Sequence, residues 1–270
     1  MKHAEIFSIG NELLRGIVQD TNSHWLAVRL TARGARVDRV TMVPDEPAVT
    51  AEALSQALSR APDLIVTHGG LGPTDDDLTR EAVSLATGLP LEMHPQAEAI
   101  VTRRYRELHA AGTVADASLN EARMRMARLP RGAVALDNEV GAAPGVVVTV
   151  GPATLVSLPG VPPELHWIFD GPLAPVLDEL LGPGGFFEWT AVLSTRDESS
   201  IAEVLRGVQA RHPDVYVKSR AKTFDQQDSV RITLAAGASS DEEARELVEA
   251  AREDAQRALG DSGVSVVTSS

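Results

Sequence analysis

Asp63 to Thr67, DLIVT, is a near-continuous apolar run, and GGLGPTDDD follows it from Gly69 to Asp77. A run of this kind with no polar alternation fits a strand buried on both faces, the habit of parallel sheets. The residues after it fit the turn from such a strand into a helix. Glycines at 69, 70 and 72 let the backbone approach a bound anion and aim N–H groups at it. Pro73 stiffens the turn, and a helix predicted from Thr79 to Ala86 adds favourable partial charge at its start. No GK[ST] follows, so an ATP-type P-loop is not expected. The predicted ligand carries a phosphate, held by Gly69, Gly70, Gly72, Pro73 and Thr74.

The rest of the first 181 residues repeats this alternation. Strands are predicted at 6–9, 37–43, 134–136, 146–150 and 154–158. Helices are predicted from Thr21, at 47–59, over 95–126 with a break at Ala111-Gly112, and over 162–181. The expected fold class is α/β: a mostly parallel sheet in three layers, helices on both faces. Gly182-Pro183-Gly184-Gly185 reads as a linker. A second, smaller α+β domain is expected over 186–270. Its strands fall at 189–193, 215–218, 230–235 and 264–267. Its helices fall at 199–209 and 240–259, the latter with Ala244, Leu247, Val248, Ala251, Ala255 and Ala258 in one stripe.

Ligands of parallel sheets gather beyond the carboxyl ends of the strands. Glu12, in Gly10-Asn11-Glu12, lies there after the first strand. Asp45 lies there after the second, and is read as an ordinary surface acid. Asn138 and the run Gly141, Ala142, Ala143, Pro144, Gly145 form a third loop, small enough to admit a ring or ribose or to be a plain turn. Pro159, Gly160 and Glu164 belong to a fourth. Thr74 and Asp77 have capping-box spacing, which accounts for part of the acidic run Asp75, Asp76, Asp77. Bare carboxylates beside a phosphate repel it, and a divalent ion between them would remove the conflict. Both readings of Asp76 and Asp77 stay open. His68 is expected to hydrogen-bond backbone rather than act as a base. No serine shows a nucleophile elbow.

The chain has no cysteine, so thiolate metal sites and cysteine nucleophiles are excluded, and a reducing cytoplasm is the expected setting. Its net charge of -13 argues against nucleic-acid partners. No signal peptide is read, and no run approaches the roughly 20 apolar residues of a membrane span.

The segments IGNELLRG (9–16), Thr21-Asn22, THGGLGPTDDDLT (67–79), NEARMRMARLPRGAVALDNEVGAAPG (120–145) and LPGVPPEL (158–165) together resemble the CinA family (competence/damage-inducible protein A). That family is related to the MoaB/MogA-type molybdopterin-binding fold. STRDESSIAEVL (194–205) and the SSDEEARELV helix resemble its KH-like middle domain. This domain lacks a GxxG loop, and its 15 acids outnumber its 10 bases, which disfavours RNA clamping. Its expected role is packing, dimerisation or closing the ligand site. The family often continues into a nicotinamide-nucleotide deamidase domain that is not expected here.

For the first domain the resemblance implies a metal-dependent pyrophosphatase acting on ADP-ribose or a related nucleotide diphosphate. Catalysis would fall to Asp76, Asp77 and Glu12, with Asp76 and Asp77 holding magnesium, manganese or cobalt. The alternative is a protein that binds a pterin phosphate, as in molybdenum cofactor assembly, without hydrolase activity. A regulatory nucleotide sensor would have the same loops. A homodimer is expected.

Overall fold

The computed structural model describes residues 2–182, 184–222 and 229–269. Pro183, within the expected linker, lies outside them, as do residues 1 and 270 at the expected domain ends. The chain divides into two compact units: Lys2–Arg29 with Val37–Leu180, and Leu30–Arg36 with the residues from Leu181 onward.

The larger unit begins with β1 (Lys2–Ile9), α1 (Asn11–Leu14), α2 (Thr21–Ala32), β2 (Ala35–Val43), α3 (Pro47–Ser59), β3 (Leu64–His68) and α4 (Thr79–Thr87). It continues with β4 (Leu91–Met93), α5 (Pro95–Ala110), α6 (Glu121–Arg125), β5 (Arg128–Pro130), β6 (Val134–Leu136), β7 (Gly145–Val150), β8 (Ala153–Leu158), α7 (Pro162–Asp170) and α8 (Ala174–Leu181). Its six-stranded sheet has the order β2-β1-β3-β8-β7-β6. β1, β3 and β8 run parallel, with Ser8 opposite His68 and His68 opposite Leu158. That register brings the ends of three strands, and the loops after them, to one edge.

All five residues of β3 are buried. Phe7, Ile65 and Leu155 pack with Leu54 and Ala57 of α3 and Val83 of α4, while the alternate residues Ile6, Val66 and Val156 are also fully buried. Burial on both faces is what the unbroken apolar run foretold. β7 and β6 join the sheet antiparallel. The turn from β7 to β8 is only Gly151-Pro152, too short for the crossover that a parallel pair needs.

One predicted helix is divided where no break was expected, and another at its expected break. The 162–181 helix breaks at Gly171, before Pro172, whose ring would clash with the preceding turn and which has no N–H to donate. The 95–126 segment ends as a helix at Ala110, and Gly112 follows in the left-handed region at φ 72°. α6 restarts only at Glu121, capped by the Asn120 side chain.

The smaller unit contains β9 (Gly185–Leu193), a 3-10 turn (Glu198–Ile201), α9 (Ala202–Arg211), β10 (Tyr216–Lys222), β11 (Ser229–Ala238), α10 (Asp241–Asp261) and β12 (Val266–Ser269). The sheet order is β10-β11-β9-β12, antiparallel throughout. Its own core joins Trp189, Ile232 and Leu234 of the sheet to Val208 of α9 and to Val248, Ala251 and Leu259 of α10. This is the α+β domain expected from the sequence.

Candidate ligand-binding cleft

A cleft of about 600 Å³ lies in the larger unit beyond the ends of β1, β3 and β8. That is within the usual range for a small-molecule site, roughly 300–1,000 Å³. Its floor is the loop that leaves β3. Gly69 has φ 98° and Gly70 φ 63°, backbone that side chains disfavour. The Gly69 N–H donates to Leu158 O at 3.1 Å, extending the strand pairing by one residue. A side chain at Gly69 would run into the Ile9 carbonyl oxygen, and a Cβ at Gly160 would stand 3.2 Å from the Gly69 Cα. Three loops therefore meet at backbone contact.

The carbonyls of Gly69, Gly70, Leu71 and Gly72 are all engaged from the α4 side. Thr79 donates its hydroxyl to Gly69 O at 2.8 Å and its N–H to Gly70 O at 3.1 Å. Arg80 donates to Leu71 O at 2.6 Å and to Gly72 O at 3.1 Å. Among the described residues no acceptor takes the N–H groups of Gly70, Leu71 or Gly72, so these are the loop's open donors. Arg80 is only 3% exposed, and burial pulls its guanidinium below its ordinary basicity. A buried cation behind a row of free N–H groups makes this floor favourable for an anion.

The three aspartates sit in the turn before α4 and do not cap it, because α4 starts at Thr79 with no side-chain cap. The Thr74–Asp77 spacing is used instead within the turn. Asp77 accepts from the Thr74 N–H at 2.9 Å and hydroxyl at 2.6 Å. Asp76 shares the single proton of that hydroxyl, and the contact holds its carboxyl below the usual range. Asp75 points to solvent and pairs with Arg125 at 2.8 Å. Asp76, Asp77, Gly72, Pro73 and Thr74 all line the cleft, as do Glu12 and Asp45. Asp45 also accepts from the Asn11 N–H at 2.7 Å, so it organises the loop after β1 and is more than a surface acid. Among the described residues no group of three or more His, Cys, Asp or Glu side chains is gathered to hold a metal unaided.

The opposite wall comes from the third and fourth loops. Ala142, Ala143, Pro159, Gly160 and Glu164 line the cleft. Asn138, Gly141, Pro144 and Gly145 stand behind that lining. Asn138 is fully buried; it donates to Glu164 Oε2 at 2.7 Å and Ala143 O at 2.8 Å, and accepts from the N–H groups of Val140 and Gly141. Gly145 opens β7, paired with Leu136.

At the end of β3, His68 is 2% exposed and bonds the Ser23 hydroxyl at 3.0 Å rather than backbone. Burial lowers its pKa to about 4, although Asp20 stands 3.6 Å away. Asp20 accepts from the Ser23 N–H at 2.9 Å; its own burial opposes ionisation, but these bonds and His68 keep it below its ordinary pKa. Asn22 donates to Gly160 O at 2.8 Å. Asp20, Asn22 and His68 complete the rim, with Tyr105 and Met126 as apolar lining. The Thr21-Asn22 pair hinted at this corner. Nothing in the local pattern singled out Arg80, whose partners lie eight and nine residues back along the chain.

Residues 5–179, more than half of the chain, match the family described as "Probable molybdopterin binding domain". The chain belongs to this family. Its larger unit has the family's MoaB/MogA-like fold. Relatives include a protein of Aeropyrum pernix, 41% identical over 264 residues, covering 97% of this chain and 96% of the relative. A protein of Pyrococcus horikoshii is 37% identical over 221 residues, covering 82% of this chain and 85% of its own length. The crystal structure of CinA, of unknown function, from Thermoplasma acidophilum is similar at TM-score 0.58 and 31% identity, over 67% of this chain and 99% of that one. Among the described residues no helix is long and apolar enough to cross a membrane.

Proposed function

We propose that the cleft binds a phosphorylated heterocyclic ligand, a pterin phosphate or a nucleotide, with its phosphate on the Gly69–Gly72 loop. The observation that carries this is the capture of four successive loop carbonyls by Thr79 and Arg80, which leaves N–H groups as the free polarity. The family's description as molybdopterin-binding supports the pterin member. Thermal unfolding with a pterin phosphate, ADP-ribose and inorganic pyrophosphate tests it. A ligand at about 100 times its Kd should stabilise by roughly 2.7 kcal/mol. No shift with any of the three would sink the reading.

A second reading, hydrolysis of a nucleotide diphosphate such as ADP-ribose, is favoured by Asp76 and Asp77 beside that loop. Magnesium is commonly held by one or two carboxylates together with substrate phosphates, and Asp76 and Asp77 fit that donor set. Magnesium, manganese or cobalt there would neutralise phosphate charge and acidify a water. The Thr74 hydroxyl keeps Asp76 ionised for this role, while Glu12 supplies a further carboxylate at the rim. Release of AMP and ribose 5-phosphate from ADP-ribose with each metal is the assay. Asp76→Asn and Asp77→Asn should cut turnover by about a hundredfold or more, with the circular dichroism spectrum retained. Absence of turnover with every metal would leave binding alone. On either reading we take the protein as cytoplasmic and homodimeric, and the smaller unit as a KH-like module serving packing or dimerisation. Light scattering showing a monomer would refute the dimer.

A further inference from the structure

Glu164 is an acid that other residues hold in place. It sits in the first turn of α7, where a carboxylate is generally favourable. Helix electrostatics alone would leave it free to point into water, yet it is half-buried on the cleft wall. Asn138, fully buried, spends its amide on it: Nδ2 donates to Glu164 Oε2 at 2.7 Å and to Ala143 O, while Oδ1 accepts from Val140 and Gly141. The amide's orientation is fixed, since its acceptors and donors cannot be exchanged without losing all four bonds. Gly141 makes room: a Cβ there would fall on the Glu164 carboxylate. Arg104 pins the same loop, donating to Gly141 O at 2.7 Å, and its charge acts on Glu164.

This arrangement uses one carboxylate oxygen. Oε1 has no donor among the described residues, and burial raises the Glu164 carboxyl above its ordinary pKa. A half-buried carboxylate with an open oxygen gains from a donor brought by a ligand. The cleft is thus polarised. Its floor offers N–H groups and a buried arginine to an anion, and this wall offers an acceptor. Gly160, packed on Gly69, is only four residues from Glu164, a chain span of at most roughly 14 Å, so one small ligand can reach both.

We propose that Glu164 is a specificity-determining residue that accepts a hydrogen bond from the non-phosphate end of the ligand, with Asn138 and Gly141 as its positioning residues. The inference rests on the proposed phosphate-binding function. The shared chemistry is a hydrogen-bond donor, supplied either by sugar hydroxyls or by the amino–imino edge of a heterocycle.

Calorimetric titration of the full chain tests it, with inorganic pyrophosphate, ADP, 2′,3′-dideoxy-ADP and GDP as probes. The proteins compared are the unaltered chain, Glu164→Gln and Gly141→Ala. Glutamine keeps the shape, but its oxygen is claimed by Asn138, which turns its NH2 toward the cleft and replaces an acceptor by a donor. In Glu164→Gln the Kd of ADP, of GDP or of both should rise about tenfold or more, while that of pyrophosphate does not rise. Gly141→Ala should reproduce this pattern by displacing the carboxylate; should it fail to fold, Glu164→Gln carries the test. If hydroxyls are the source, dideoxy-ADP binds the unaltered chain as weakly as ADP binds Glu164→Gln. If the amino–imino edge is the source, a preference for GDP over ADP disappears in the variant. Equal weakening of pyrophosphate and nucleotides, or no weakening of either, overturns the inference. Binding of pyrophosphate without either nucleotide also overturns it and leaves the phosphate site standing. Failure of the unaltered chain to bind any of these probes overturns the inference, while a pterin phosphate that still shifts thermal unfolding would leave the proposed phosphate-binding function standing.

Discussion

Single residues at the cleft trade local comfort for position. Gly69 is held at φ 98° against the Ile9 carbonyl. Gly69→Ala should therefore lower stability by about 1–3 kcal/mol in urea titration and also weaken phosphate binding, because backbone strain and collision act together. His68 makes a second prediction. Its folded pKa, about 4, lies below the ordinary 6.5, so between those values the unfolded chain binds the proton and the folded chain does not. Stability from this group is present above pH 6.5 and is lost as pH falls toward 4, on the order of 3 kcal/mol in all. Unfolding free energies from pH 7 to 4 should slope accordingly, and His68→Gln should flatten that slope. An unchanged slope would mean that His68 takes up its proton at the same pH folded as unfolded. The glycine requirement was legible from GGLG, but the histidine's neutrality was not, since it depends on burial and on Ser23 arriving from α2.

At the scale of elements, short-range rules worked where the signal was local. Ser240 accepts from the Glu243 N–H at 3.2 Å, and the Glu243 carboxylate returns to the Ser239 N–H at 3.0 Å. Ser240→Ala should cost about 1 kcal/mol, read as a lowered midpoint in chemical denaturation. The break expected at Ala111-Gly112 falls where α5 ends, but the helix expected to run on to Met126 restarts only at Glu121, behind the Asn120 cap. Two readings failed because a stronger local effect won. Gly171-Pro172 breaks a helix whose apolar spacing runs on to Leu181. The aspartates of 75–77 looked like a first helical turn, yet Thr74 draws Asp76 and Asp77 into a turn of their own. Arg80→Met should loosen that loop from behind. The expected loss is about 2–3 kcal/mol of stability by urea titration, since two carbonyls lose a charged donor. Retention of full stability would mean that water replaces the guanidinium.

For the whole molecule, a core built from the smaller unit's own residues implies a response to damage separable from that of the cleft. Ile232 is fully buried in the smaller unit's core, and Ile232→Ala should cost roughly 2–5 kcal/mol there. Ligand-induced stabilisation of the larger unit should survive, as judged by hydrogen exchange of the β3 amides with pyrophosphate present. The amino-acid sequence by itself determined the alternation of elements, the buried central strand, the glycine loop and the change of pattern near 182–185. Each of these depends on neighbours within a few residues or on a period of two or 3.6. Only the tertiary structure decided that Arg80 backs the loop, that Asp20, Ser23 and His68 meet, and that Asn138 and Gly141 serve Glu164. Those contacts join residues far apart in the chain, and their strength comes from exclusion of water, which no local pattern of residue types encodes.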